Sequence, residues 1–145
     1  MKHIFLCIAL ICTLYLTSCS KEDGDWEPMK WKTTATTAKD GYIYVDSDGG
    51  TFVFQCRNYS GPWMADVVQT EDEKSVRYNP PETDGKTDFK KIETTWLTSA
   101  CENNTVTVKI QPTTAPHYRT MHVTVTAGDI FFTFKFKQYG LCTNQ

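Results

Sequence analysis

Between residues 105 and 138, apolar side chains recur at every second position. Val106, Val108 and Ile110 alternate with Thr107 and Lys109, and Met121, Val123 and Val125 with His122 and Thr124. Ile130, Phe132, Phe134 and Phe136 alternate with Thr133, Lys135 and Lys137. Successive side chains of a strand point to opposite faces, so a period of two buries one face of a sheet and leaves the other in water. A helix would need apolar residues three and four apart, and no segment carries such a stripe. These three runs read as half-buried antiparallel strands, the last two joined by a hairpin at Ala127-Gly128-Asp129.

The same reading extends upstream. Tyr42 to Val45 and Thr51 to Arg57 form an expected hairpin through Asp46-Ser47-Asp48-Gly49-Gly50. Trp63, Ala65 and Val67 suggest a strand after the Gly61-Pro62 break, and Lys91 to Leu97 another. Asn79 to Lys91, with two adjacent prolines, a glycine and many charges, reads as a long loop. Many short strands rich in Thr, Val, Phe and Tyr, with no helix between them, predict an all-β fold of two antiparallel sheets packed as a sandwich.

The N-terminus has a different chemistry. Met1-Lys2-His3 is a short basic start, Ile4 to Tyr15 is apolar apart from Thr13, and Leu16-Thr17-Ser18-Cys19 closes the segment. A basic stretch, a short apolar stretch and small residues describe a secretory signal. The apolar run is shorter than the roughly 20 residues that span a bilayer. Its last four residues resemble the lipobox of bacterial lipoproteins, which implies cleavage before Cys19 and a lipid on its thiol. Two or more acyl chains, at about 0.8 kcal/mol per buried CH₂, anchor stably. Ser20-Lys21-Glu22-Asp23-Gly24-Asp25 is a charged tether that cannot build a core. It is similar to the acidic signal that follows the lipidated cysteine in surface lipoproteins of the Bacteroidetes, which implies the cell-surface side of the outer membrane. The alternative is a solvated spacer on the periplasmic face.

The organisation expected is a signal peptide over 1–18, a lipidated tether over 19–32, one domain over 33–140 and a tail over 141–145. The formal net charge of the whole chain is −2, and one lysine leaves with the signal. That balance leaves no basic stripe for nucleic acid. Of the 6 cysteines, Cys7 and Cys12 lie in the signal and Cys19 is the lipid site. Cys56 alternates with Phe52 and Phe54 and reads as a buried thiol. Cys101 and Cys142 form the best candidate pair if a bridge exists. No CxxC or His-Cys cluster suggests zinc, and no cofactor is expected.

Several residues carry a family resemblance in their order. Asp48-Gly49-Gly50 precedes a strand, Asn58 and Trp63 follow it, Trp96 comes later, Arg119 opens a strand, and Gln138-Tyr139-Gly140 closes the last one. This order resembles the BACON domain (Bacteroidetes-associated carbohydrate-binding, often N-terminal), over roughly Thr33 to Gly140. The resemblance implies an immunoglobulin-like β-sandwich that binds glycan or mucin-like polysaccharide, or serves as a spacer or protein-interaction subunit in an envelope complex. The chain departs from the family between Trp63 and Trp96, where it inserts more residues, including the proline-bearing loop.

Aromatic side chains offer flat faces to sugar rings. The candidates are Trp26, Trp31, Tyr42, Tyr44, Tyr59, Trp63, Tyr78, Trp96, Tyr118 and Phe131. Tryptophan is highly buried on average, so Trp63 and Trp96 are read as core. Tyr42 and Tyr44 share the face opposite Ile43 and Val45, and Tyr59 and Tyr78 sit beside loops. These four tyrosines are the expected ligand contacts. Asp46-Ser47-Asp48-Gly49 looks like half a calcium loop, but Arg57 stands where the closing glutamate belongs, so a turn explains it. His117 falls in a turn and His122 on an outward strand position. With no GxSxG, HExxH or phosphate loop, a non-enzymatic role is expected. Labelled palmitate fed to expressing cells should enter the wild-type protein and be absent from Cys19→Ser; equal labelling of the two would remove the lipid anchor from this reading.

Overall fold

A computed structural model describes residues 26–141, so the signal, Cys19 and Cys142 lie outside the described residues. The strands are Trp31–Lys32 (β1), Ile43–Val45 (β2), Gly50–Cys56 (β3), Trp63–Glu71 (β4), Lys74–Tyr78 (β5), Glu82–Thr83 (β6) and Lys86–Thr87 (β7). They continue with Lys91–Glu93 (β8), Leu97–Glu102 (β9), Thr105–Ile110 (β10), Arg119–Ala127 (β11) and Ile130–Gln138 (β12). Two five-stranded sheets form, in the orders β1-β3-β10-β9-β8 and β2-β12-β11-β4-β5. All pairings within them are antiparallel except β2 with β12. The protein is a two-sheet antiparallel β-sandwich.

The period-two pattern decides which faces meet. Val106, Val108 and Ile110 of the first sheet and Met121, Val123, Val125 and Phe136 of the second are all buried. Phe54 stacks on Phe134 with ring centroids 4.0 Å apart, and Phe52 meets Phe136 at 5.2 Å. Trp31 packs against Phe132 and Phe134. Met29 is buried with them, so the folded core begins ahead of Thr33.

Four strand assignments are corrected. First, β2 and β3 do not form a hairpin, because β2 runs beside β12 in one sheet and β3 beside β10 in the other. Two short strands with a glycine-bearing connector look like a hairpin in sequence, but here the connector crosses the sandwich. Gly49 makes the crossing possible: its φ is 78°, and a Cβ there would lie 2.3 Å from the Ile110 carbonyl oxygen. Second, Lys91 to Leu97 is not one strand; β8 ends at Glu93, and the Thr94 hydroxyl accepts from the Trp96 and Leu97 amides in a turn before β9. Third, the Asn79–Lys91 loop contains a small hairpin, β6 and β7, turning at Asp84 and Gly85 with φ of 52° and 69°.

The fourth correction matters most for function. In β4 the pairing with β11 slips, so that Thr124 faces Asp66 while Val125 faces Met64. Ala65 is the extra residue of this bulge. Simple alternation would put Trp63 on the same face as Ala65 and Val67. The bulge instead sends Met64 and Val67 inward and turns Trp63 out, 38% exposed. Trp63 is therefore not a core residue. Trp96 is partly buried and packs against the core.

One end of the sandwich is closed by a buried polar cluster. The Arg119 guanidinium, 6% exposed, donates through Nε to Gln138 Oε1 at 2.9 Å and through Nη2 to the Gln111 carbonyl at 3.1 Å. It lies 4.7 Å from the centre of the Trp96 ring. Burial lowers its pKa, partly offset by Glu71. The fully buried Gln138 amide donates to the carbonyls of Asp46, Ser47 and Gln111. Replacing Gln138 by Leu strands a buried cation and several carbonyls. The variant should lose about 3 kcal/mol of unfolding free energy, read from urea curves; a loss below about 1 kcal/mol would show that this end is held by apolar contacts alone.

Candidate functional site

The outward face of β2-β12-β11-β4-β5 gathers most of the exposed aromatic side chains, while Trp26 and Phe89 are exposed outside the strands. The register sets its rows: Tyr44 beside Lys137 beside Thr120 beside Thr70, then Lys135 beside His122 beside Val68 beside Arg77. Thr133, Thr124 and Asp66 form the next row, and Phe131, Thr126 and Trp63 the last. Phe131 is 63% exposed, and with Trp63 it flanks the buried Thr126. The outward positions of the opposite sheet are Lys, Glu, Thr, Gln, Val and Ala, with no aromatic among them.

At the far end of the face, Tyr44 and Tyr139 stack with centroids 5.4 Å apart and planes 16° from parallel. Tyr139 continues the alternation of β12 past Gln138, and its amide donates to the Val45 carbonyl. Tyr44 donates its hydroxyl to Asp40 Oδ2 at 2.6 Å. That bond, with the Tyr42 amide, holds the Asp40 carboxyl below its usual range, and it raises the Tyr44 phenol to about 12. Lys137 Nζ lies 4.1 Å from the centre of the exposed Tyr118 ring.

Tyr42 reaches across β12 so that its hydroxyl meets His122 Nε2 at 3.2 Å. His122 points outward as expected. Arg77 pairs with Asp66 on the same face. The structure thus brings Tyr42 and Tyr44 together and separates them from the other two candidates. Tyr59 and Tyr78 lie away from this face: both pack against the core, Tyr59 donates its hydroxyl to the Glu27 carbonyl, and Tyr78 sits opposite the buried Val67. Sequence reasoning passes over Tyr139, although carrying the β12 alternation one step further would have found it.

Two hollows border this face, one reaching Thr70 and Thr120 and the other Thr133 and Lys135. One, of about 700 Å³, opens between the β4–β5 turn and the segment before β11, with Glu71, Asp72, Glu73, His117 and Tyr118 around it. The other, of about 250 Å³, is a crevice lined by Trp31, Phe54, Phe132 and Phe134. Among the described residues, no group of three or more His, Cys, Asp or Glu side chains is placed to hold a metal, and Cys56 and Cys101 are buried free thiols. Burial pushes the Cys101 thiol up to about 12, which keeps it from acting as a nucleophile near neutral pH. Cys142 lies outside the described residues.

Burial, then the neighbouring Lys135, lowers the His122 pKa, with Asp66 acting in the opposite direction. The folded state therefore holds the neutral imidazole while the unfolded chain takes up a proton at the ordinary value. The stability that this supplies is full above that value and is lost as pH falls below it. His122→Gln removes the titration and keeps a polar partner for Tyr42. Between about pH 7.5 and pH 5, the urea midpoint of wild type should drop further than that of the variant. Equal drops would show that His122 does not carry the acid sensitivity between these two pH values.

No family model and no curated protein matches the chain. Among solved structures, it is similar to the NMR structure of a protein from Bacteroides thetaiotaomicron, with 28% identity and a TM-score of 0.69. The likeness covers 87% of this chain and 98% of that one. It extends over nearly the whole of the other protein.

Proposed function

We propose that this protein is a non-catalytic glycan-binding lipoprotein, with an immunoglobulin-like sandwich of the BACON type, displayed from the outer membrane by lipid on Cys19. The observation that carries the reading is the one-sidedness of the sandwich. One outer face bears Tyr44, Tyr139, Trp63 and Phe131 among threonines, lysines and Arg77, while the other bears no aromatic side chain. Exposed aromatic surface costs solvation free energy, and its concentration on one face fits recognition rather than packing. Exposed aromatic rings offer stacking surface to pyranose rings, and the flanking hydroxyl, ammonium and carboxylate groups can bond their hydroxyls. The immunoglobulin-like reading is supported by the strand orders. The leading strand begins antiparallel to β3 in one sheet, crosses, and runs parallel to β12 in the other, beside a β12-β11-β4 core.

A second reading, a spacer or protein-interaction subunit of an envelope complex, draws on the edge of β12. Among the described residues, only Phe136, Lys137 and Gln138 pair with β2, so the earlier part of that edge has no strand beside it. Such an edge can accept a strand from another protein.

Purified residues 20–145 should bind polysaccharides on a glycan array. Tyr44→Ala and Tyr139→Ala should each weaken binding by about tenfold and leave stability within about 1 kcal/mol. Tyr59→Ala and Tyr78→Ala should affect stability rather than the ratio of affinities. An array without signal from any polysaccharide, together with one constant cross-linked protein partner in cells, would replace the first reading with the second.

A further inference from the structure

The outward face has an order along its strands that a site for a single terminal sugar would not need. Phe131 and Trp63 lie at one end, and Tyr44, Tyr139 and Tyr118 at the other. Between Phe131 and Lys137 the strand advances roughly 20 Å at about 3.3 Å per residue. Lys135 on β12 and Arg77 on β5 lie within the interval, and Lys137 stands at its Tyr44 end.

The charges of this face are not balanced internally. Of the carboxylates along these rows, Asp66 pairs with Arg77, and Asp40 accepts from the Tyr44 hydroxyl and lies near enough to Lys137 to feel its charge, while Glu71, Asp72 and Glu73 stand apart in the β4–β5 turn beside Tyr118. Among the described residues neither Lys135 nor Lys137 makes an ion pair; the Lys137 ammonium lies over the Tyr118 ring instead. This local positive excess stands on a chain whose formal net charge is −2. Two ammonium groups without an ion pair on β12, Lys135 between the aromatic platforms and Lys137 at the Tyr44 end, match a ligand that carries anionic groups beside its ring faces.

We propose that the face binds an acidic polysaccharide lengthwise, with its sugar rings on the aromatic groups at the two ends and its carboxylate or sulfate groups at Lys135 and Lys137. The inference rests on the glycan-binding reading and adds to it a ligand class and a direction. A chain several sugars long is required, since the two platforms lie too far apart for one ring to touch both. Charge attraction across such a face acts over the screening length of the medium, so binding weakens as salt is added.

The test uses the lipid-free protein and immobilised polygalacturonate, chondroitin sulfate and neutral dextran. Both acidic polymers, or one of them, should bind more tightly than dextran, and the preference should shrink with added salt. Monomeric galacturonate should compete poorly against a long oligomer. The Lys135→Gln/Lys137→Gln double variant should lose the acidic preference by roughly tenfold while keeping its fold, checked by circular dichroism. Lys109→Gln, on the opposite face, should retain it. Unchanged preference in the double variant, or equal loss in Lys109→Gln, would overturn the proposal. Stronger binding of dextran than of either acidic polymer would also overturn it and leave neutral-glycan recognition standing. Binding to none of these polymers or to any other polysaccharide would remove the glycan reading itself.

Discussion

Burying the Arg119 guanidinium is the constraint around which one end of the sandwich is arranged. An ammonium-like charge taken out of water needs partners for its donors, and among the described residues no carboxylate pairs with it. Gln138 supplies an acceptor, the Gln111 carbonyl another and the Trp96 face a third contact. Because Gln138 also binds the carbonyls of Asp46 and Ser47, this cluster fixes the point where the chain leaves one sheet for the other. Gly140 completes this end. A Cβ there would lie 2.5 Å from the Ala115 carbonyl oxygen, so the chain after β12 can lie against the segment before β11 only without a side chain.

The second controlling feature is the bulge in β4. One extra residue reverses the facing of Trp63 while Val67 stays inward, at the cost of one interrupted ladder position. Without it, the indole would compete with Met64 for the core space that Met64 fills with Cys101 and Ser99. Packing and display are thus assigned to neighbouring residues of one strand, and the outer face gains its tryptophan without opening the interior.

The fold class was legible from residues 105–138 because alternation reports burial directly, and the facing of Val106, Val108, Met121, Val123 and Phe134 follows it. Sheet membership was less legible. Alternation says which way a side chain points, not which sheet its strand joins, so β2 and β3 looked like partners. The bulge left no mark in the pattern, since Trp63, Ala65 and Val67 fit a period of two as well as any strand. For the site, Tyr42 and Tyr44 could be placed from their spacing, whereas Tyr59 and Tyr78 could not be told from surface residues. Their packing depends on what the rest of the fold lays over them, Glu27 in one case and the inner face opposite Val67 in the other.

The Tyr44–Tyr139 stack joins the first and the last strands of its sheet across a parallel pairing only three residues long. Closing so long a chain segment is entropically expensive and is repaid only when the intervening strands are already in register. The aromatic platform therefore exists only when both ends of its sheet are in place, and a chain clipped before Tyr139 does not present it.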